Sequence, residues 1–198
     1  MTAAIAALLA AAPVLTAADV QVVVTSPLAC AVALAVTIDD APPTVEHRLE
    51  VLEGARATLD GLDGAAAAPP VAVGRTLALQ VMPASATYTL RYRVTQPEAG
   101  AFRCPVWLPV TPADGRSRAV RVAATLPEGA EAVGTFPAFA WRGTTGTVTL
   151  GHVPAFVNIP FAGADVAPPW NLARLMDRVS LGVLVAASLL WWRRSRAA

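Results

Sequence analysis

Between Thr87 and Val94 the side chains alternate without a fault: Tyr88, Leu90, Tyr92 and Val94 fall on one face, Thr87, Thr89, Arg91 and Arg93 on the other. A period of two with one apolar and one wet face predicts an antiparallel strand packed on a core. Arg75 to Val81 repeats it with Leu77, Leu79 and Val81 inward, and Ala119 to Leu126 with Val120, Val122, Ala124 and Leu126. Further strands are expected at Val20–Thr25, Ala29–Ile38, Val45–Leu52, Phe102–Val110, Thr147–Val153 and Phe156–Phe161.

Turn-forming combinations separate these segments: Pro42-Pro43, Asp60-Gly61, Asp63-Gly64, Asp114-Gly115 and Pro127-Glu128-Gly129. Glu53 to Leu62 reads as a short helical turn and Ala65 to Pro70 as a small-residue loop tip. Evenly spaced strands with turn signals predict an all-β, immunoglobulin-like antiparallel β-sandwich over residues 19–167, of about eight or nine strands. The likeness is one of architecture, because the immunoglobulin pattern places a tryptophan between its two cysteines and none occurs here before Trp107.

Two apolar segments flank the domain. Ala3 to Val14 is an apolar run, and Thr16-Ala17-Ala18 offers small residues ahead of Asp19. Residues 1–18 therefore read as a secretory signal peptide, although no Lys or Arg precedes the run; an uncleaved N-terminal helix is the alternative, which Pro13 disfavours. Val179 to Trp192 carries no charge, and extension back to Trp170 supplies the roughly 20 residues that a bilayer crossing takes. Trp170 and the pair Trp191–Trp192 would mark the two interfaces, with Arg193, Arg194 and Arg196 on the cytoplasmic side. Residues 168–192 are thus expected to form one transmembrane helix and 193–198 a cytoplasmic tail, with the sandwich outside the bacterial cytoplasmic membrane.

Within that helix Arg174, Asp177 and Arg178 share a face, and steps of four from Arg178 lead to Gly182 and Ala186. Charged groups at membrane depth usually face protein or water, and small residues let helices approach closely. The stripe is a candidate contact with a partner helix, in a multi-pass membrane protein or an envelope component. The alternative places the charges in the headgroup zone with the arginines reaching outward.

Composition adds compartment rather than chemistry. All 15 basic residues are arginine and the net charge is +1, without the concentrated basic patch that nucleic acid would require. The chain has two cysteines. Cys30 is in phase with Val32 and Leu34, Cys104 with Val106 and Leu108, so both point inward from different strands. In an oxidising compartment this favours an inter-sheet disulfide, contributing about 4 kcal/mol in the chain-entropy model; two buried free thiols are the alternative.

No GxSxG elbow, P-loop or GxGxxG is present, and the expectation is a protein with no catalysis of its own and no cofactor. His47, among Asp39, Asp40 and Glu46, and His152 are the candidate ligands for a metal-handling alternative. Both, however, are in phase with inward residues and lack the spacing of a metal site.

The segment YTLRYRVTQPEAGAFRCPVWLPV, followed by VRVAATLPEGAEAVGTFP, resembles sandwich domains of bacterial single-pass, membrane-anchored envelope proteins of unknown function. That resemblance implies a tethered binding or accessory module. The C-terminal helix and arginine tail are also similar to cell-surface sorting signals. This chain departs from them: it has no LPxTG and no Pro-Glu-Pro ahead of the helix, only Ala167-Pro168-Pro169.

Overall fold

The computed structural model describes residues 13–51, 54–97, 101–111 and 118–163, together with positions 176, 179, 180, 183, 184 and 188 of a C-terminal helical segment. The chain divides into two compact units, Met1–Pro168 and Pro169–Ala198.

The described residues of the first unit are all-β. Its strands are β1 (Val14–Ser26), β2 (Ala29–Asp39), β3 (Val45–Glu50), β4 (Arg56–Asp63) and β5 (Ala65–Ala67). Then come β6 (Val71–Val73), β7 (Thr76–Pro83), β8 (Thr87–Thr95), β9 (Ala101–Pro105) and β10 (Leu108–Pro109). The last are β11 (Val120–Thr125), β12 (Ala130–Ala132), β13 (Ala140–Arg142), β14 (Thr145–Leu150) and β15 (Phe156–Gly163). A seven-stranded sheet runs β13-β14-β11-β1-β2-β8-β4, a second sheet runs β10-β3-β7-β5 with β6 also on β7, and a three-stranded sheet runs β12-β15-β9.

One core joins the three sheets. The large sheet contributes Val20, Leu34, Leu90 and Val122, the second Leu49, Leu79 and Val81, the third Val157, Ile159 and Phe161, all at 0% exposure. Each such aliphatic or aromatic side chain stabilises the fold by roughly 1.5–3 kcal/mol relative to leaving it in water. The polar alternates, such as Arg91 and Arg93 of β8, stay at the surface and pair with Asp63 and Asp60 of β4. The layering is sandwich-like, as the alternation requires.

Four local features depart from the expectation. The segment read as a helical turn is β4, the edge of the large sheet, with Ala57, Leu59 and Leu62 packed on the core. A bulge between Leu59 and Gly61 puts two consecutive residues opposite one position, so the odd-numbered inward set switches to an even one and the period of two is hidden. The alanine-rich loop tip carries β5, paired with β7 from Ala65↔Pro83 to Ala67↔Val81. The sheets are not wholly antiparallel, since β1 pairs with β11 in parallel from Ala18↔Val120 to Val23↔Thr125. Side-chain alternation is blind to strand direction, and the long stretch between the two leaves ample chain for the crossover that parallel pairing needs.

The fourth concerns the N-terminus. β1 starts at Val14, ahead of the expected cleavage point at Asp19. Leu15 and Ala18 are 2% and 5% exposed, and the Thr16 hydroxyl donates to the carbonyl of Thr37 at 3.3 Å. Ala18 is in phase with Val20, whereas a register shift between Leu15 and Ala17 turns Leu15 inward as well, which a phase counted back from Val20 does not reveal.

In the second unit, the described positions Met176, Val179, Val183 and Leu184 are helical and 57%, 52%, 62% and 64% exposed. Among the described residues no helix is long and apolar enough to cross a membrane. Arg174, Asp177, Arg178, Gly182 and Ala186 lie outside the described residues.

Candidate functional site

The strand register brings several inward polar side chains into a buried seam between the sheets. β3 and β8 each present a residue to it: His47, opposite Leu79 of β7, and Tyr88, opposite Val36 of β2. His47 is the one buried charged-type side chain among the described residues, at 0% exposure. Its Nε2 stands 2.7 Å from the Tyr88 hydroxyl, and the rings meet edge to face with centroids 5.7 Å apart. A neutral imidazole and a phenol can each donate or accept, so the contact is satisfied without charge.

Burial sets the protonation of both. It lowers the pKa of His47 to about 4, against a smaller opposing effect from the Trp107 backbone. It raises the Tyr88 hydroxyl well above the usual phenol range. Trp107 Nε1 has no partner meeting hydrogen-bond geometry among the described residues, and an unsatisfied buried polar atom costs stability.

Four residues along β8, on the same face, the Tyr92 hydroxyl donates to the Pro105 carbonyl at 3.1 Å, and its ring meets that of Trp107 edge to face at 6.4 Å. Cys30 and Cys104 share this end of the seam. Their sulfurs are 3.2 Å apart as free thiols, both fully buried. Burial, then the contact with Cys30, holds the Cys104 thiol well above the ordinary thiol range. A thiol so placed is a poor nucleophile, because the thiolate is the reactive form.

The metal candidates are placed differently from one another. His47 is sealed in the core, whereas His152 and the acidic pair Asp39 and Asp40 are exposed. Among the described residues no three of His, Cys, Asp or Glu converge as a metal would require.

Surface clefts open among the described residues include three. The first, of about 490 Å³, lies between β12 and the β13–β14 hairpin and is lined by Gly129–Ala132, Trp141, Gly143 and Thr144. Trp141 lies against Gly146, its cross-strand neighbour; a Cβ on that glycine would come within 2.7 Å of the indole. Gly163, at φ 88°, closes on the Gly129 carbonyl so tightly that no side chain fits there. The second, of about 320 Å³, holds Arg56 and Arg75. The third, of about 120 Å³, holds Glu50 and Arg103, the guanidinium 5.1 Å above the Phe156 ring. The first cleft carries the Glu131 carboxylate and the Thr144 hydroxyl in one lining, and no two carboxylates share any of these three clefts.

Strand parity turns His47, Cys30 and Cys104 inward, as found; it gives His152 the same direction, but that residue lies beyond the end of β14 and is exposed. Parity did not identify Tyr88 as the partner of His47, although both were in the apolar phase of their strands. That shared phase was the available signal; the cross-layer pairing needed the register.

No family model matches the chain, and no curated protein matches it. Solved structures to which it is similar include the M1 zinc metallopeptidase from Deinococcus radiodurans, at 16% identity and a TM-score of 0.43, covering 75% of this chain and 42% of that one. A mutant of an M1 zinc metallopeptidase from the same organism gives 17% identity and a TM-score of 0.42, covering 76% and 42%. A two-domain M1 zinc metallopeptidase mutant bound to L-tryptophan gives 15% and 0.39, covering 76% and 43%. The chain thus spans less than half the length of each of these proteins.

Proposed function

We propose that the β-domain is an extracytoplasmic binding or accessory module, immunoglobulin-like in its layering and without catalysis of its own. Its C-terminal segment holds it at the bacterial cytoplasmic membrane beside a multi-pass membrane protein or envelope component. The observation that carries this reading is the outward apolar face of the C-terminal helix. Met176, Val179, Val183 and Leu184 all have more than half of their surface uncovered, and their spacing gathers them on one side. Large apolar side chains on one helical stripe call for lipid or another helix to cover them.

In this reading Met176 and Val183 meet lipid, while Arg174, Asp177, Arg178, Gly182 and Ala186 meet the partner, where charges avoid hydrocarbon and small residues permit close approach. The described clefts of the β-domain give it concave surface on which a partner can dock.

The test is a mild-detergent pull-down of the full-length protein from its native membrane, beside the Asp177→Leu, Gly182→Leu variant. A membrane protein retained by the native helix and lost by the variant is the expected result. Identical partners for both forms would remove the helix face from the interaction.

A further inference from the structure

The three-stranded sheet β12-β15-β9 shares no strand ladder with the other two among the described residues. It also contains β15, the strand that leads toward the C-terminal segment. Cys104 sits in β9 opposite Val157 of β15. Cys30 sits in the large sheet, in β2 opposite Val94 of β8. Their sulfurs, 74 residues apart in the chain, lie 3.2 Å from each other across the core. No other cysteine exists in the chain to compete for either.

We propose that Cys30 and Cys104 form a disulfide that clasps the three-stranded sheet to the seven-stranded sheet, and that it closes before the sheets pack. The distance to a bond length of about 2.05 Å is small against the freedom of two χ1 rotations. Timing follows from enclosure. Both sulfurs have 0% exposure, so no oxidant reaches them in the folded domain, and the raised Cys104 pKa removes the thiolate that exchange needs.

In the open chain one thiolate attacks the disulfide of an oxidant of the protein-disulfide class and forms a mixed disulfide. The second thiolate then displaces the oxidant, which leaves as its dithiol carrying the two protons that the cysteines gave up, and the Cys30–Cys104 bond is made. The same enclosure shields the finished bond from reductants. The proposal rests on the extracytoplasmic placement of the domain and not on the helix contact.

The full-length protein, taken from its native membrane into detergent, is denatured with N-ethylmaleimide and no reductant, then reduced and labelled with a heavier maleimide. Both cysteines are expected to carry only the second label. Both carrying the first would overturn the clasp, and protease accessibility in spheroplasts of the same cells shows whether the placement fails with it. Melting of the Cys30→Ala, Cys104→Ala variant supplies the second readout. Oxidised wild type should melt above it and, once denatured, reduced and refolded, should drop toward it. A wild type that melts alike in both states would also overturn the clasp. Dithiothreitol without denaturant is expected to leave the bond intact; rapid reduction would overturn the sealed-core order of events.

Discussion

The imidazole Nε2 of His47 and the hydroxyl of Tyr88 lie 2.7 Å apart between β3 and β8, with 0% and 1% of their surfaces exposed. A titratable ring is thus held where burial opposes its charged form.

Acid should weaken the fold through this ring. Burial lowers the His47 pKa to about 4 from an ordinary 6.5. Between those values the unfolded chain binds a proton that the folded chain refuses, so stability is fully present above about pH 6.5 and falls as the pH drops toward 4. The full effect is on the order of 3 kcal/mol. Urea midpoints at pH 7.5 and 4.5 should separate for the native protein and converge in His47→Gln.

Tyr88→Phe removes the partner of a buried nitrogen while keeping the ring. The expected loss is about 1–3 kcal/mol, read from denaturant unfolding at pH 7.5. An unchanged midpoint would mean that the hydroxyl does not satisfy the imidazole.

The strand that precedes Asp19 should matter to stability. A chain beginning at Asp19 gives up the β2 pairings from Val14↔Asp39 to Ala18↔Val36 and the buried Leu15. Leu15→Ala alone should cost about 2–5 kcal/mol. Melting temperatures of chains beginning at Val14 and at Asp19 compare the two boundaries directly, and the longer chain is expected to melt higher.

Gly146→Ala tests the packing of Trp141. The added Cβ would approach the indole to within 2.7 Å, so the ring must move, at a cost of about 1–3 kcal/mol. Near-UV circular dichroism should change along with the melting temperature.

Much of this architecture was legible in the residue pattern, and the exceptions have physical causes. β8 reads directly because Thr87–Thr95 is unbulged and half wet. β4 does not, because its bulge after Leu59 breaks the alternation and its glycines imitate a turn. β5 and β6 consist of Ala and Val beside a Pro-Pro pair, a composition that carries no periodicity. The inward direction of His47, Cys30 and Cys104 follows from parity alone. Which of them meet is decided by how three sheets stack, and one strand at a time cannot state that.

The parallel pairing of β1 with β11 has a consequence for the order of assembly. One flank of β1 is covered by β2 almost as soon as both exist, but the other waits until Val120–Thr125 arrive. A domain that emerges from its N-terminus first therefore presents an open, valine-rich backbone ladder for most of its synthesis or passage. Such non-local closure is slow and leaves the chain prone to pairing with its neighbours. The half-built domain is thus the stage at which a holding chaperone would matter most.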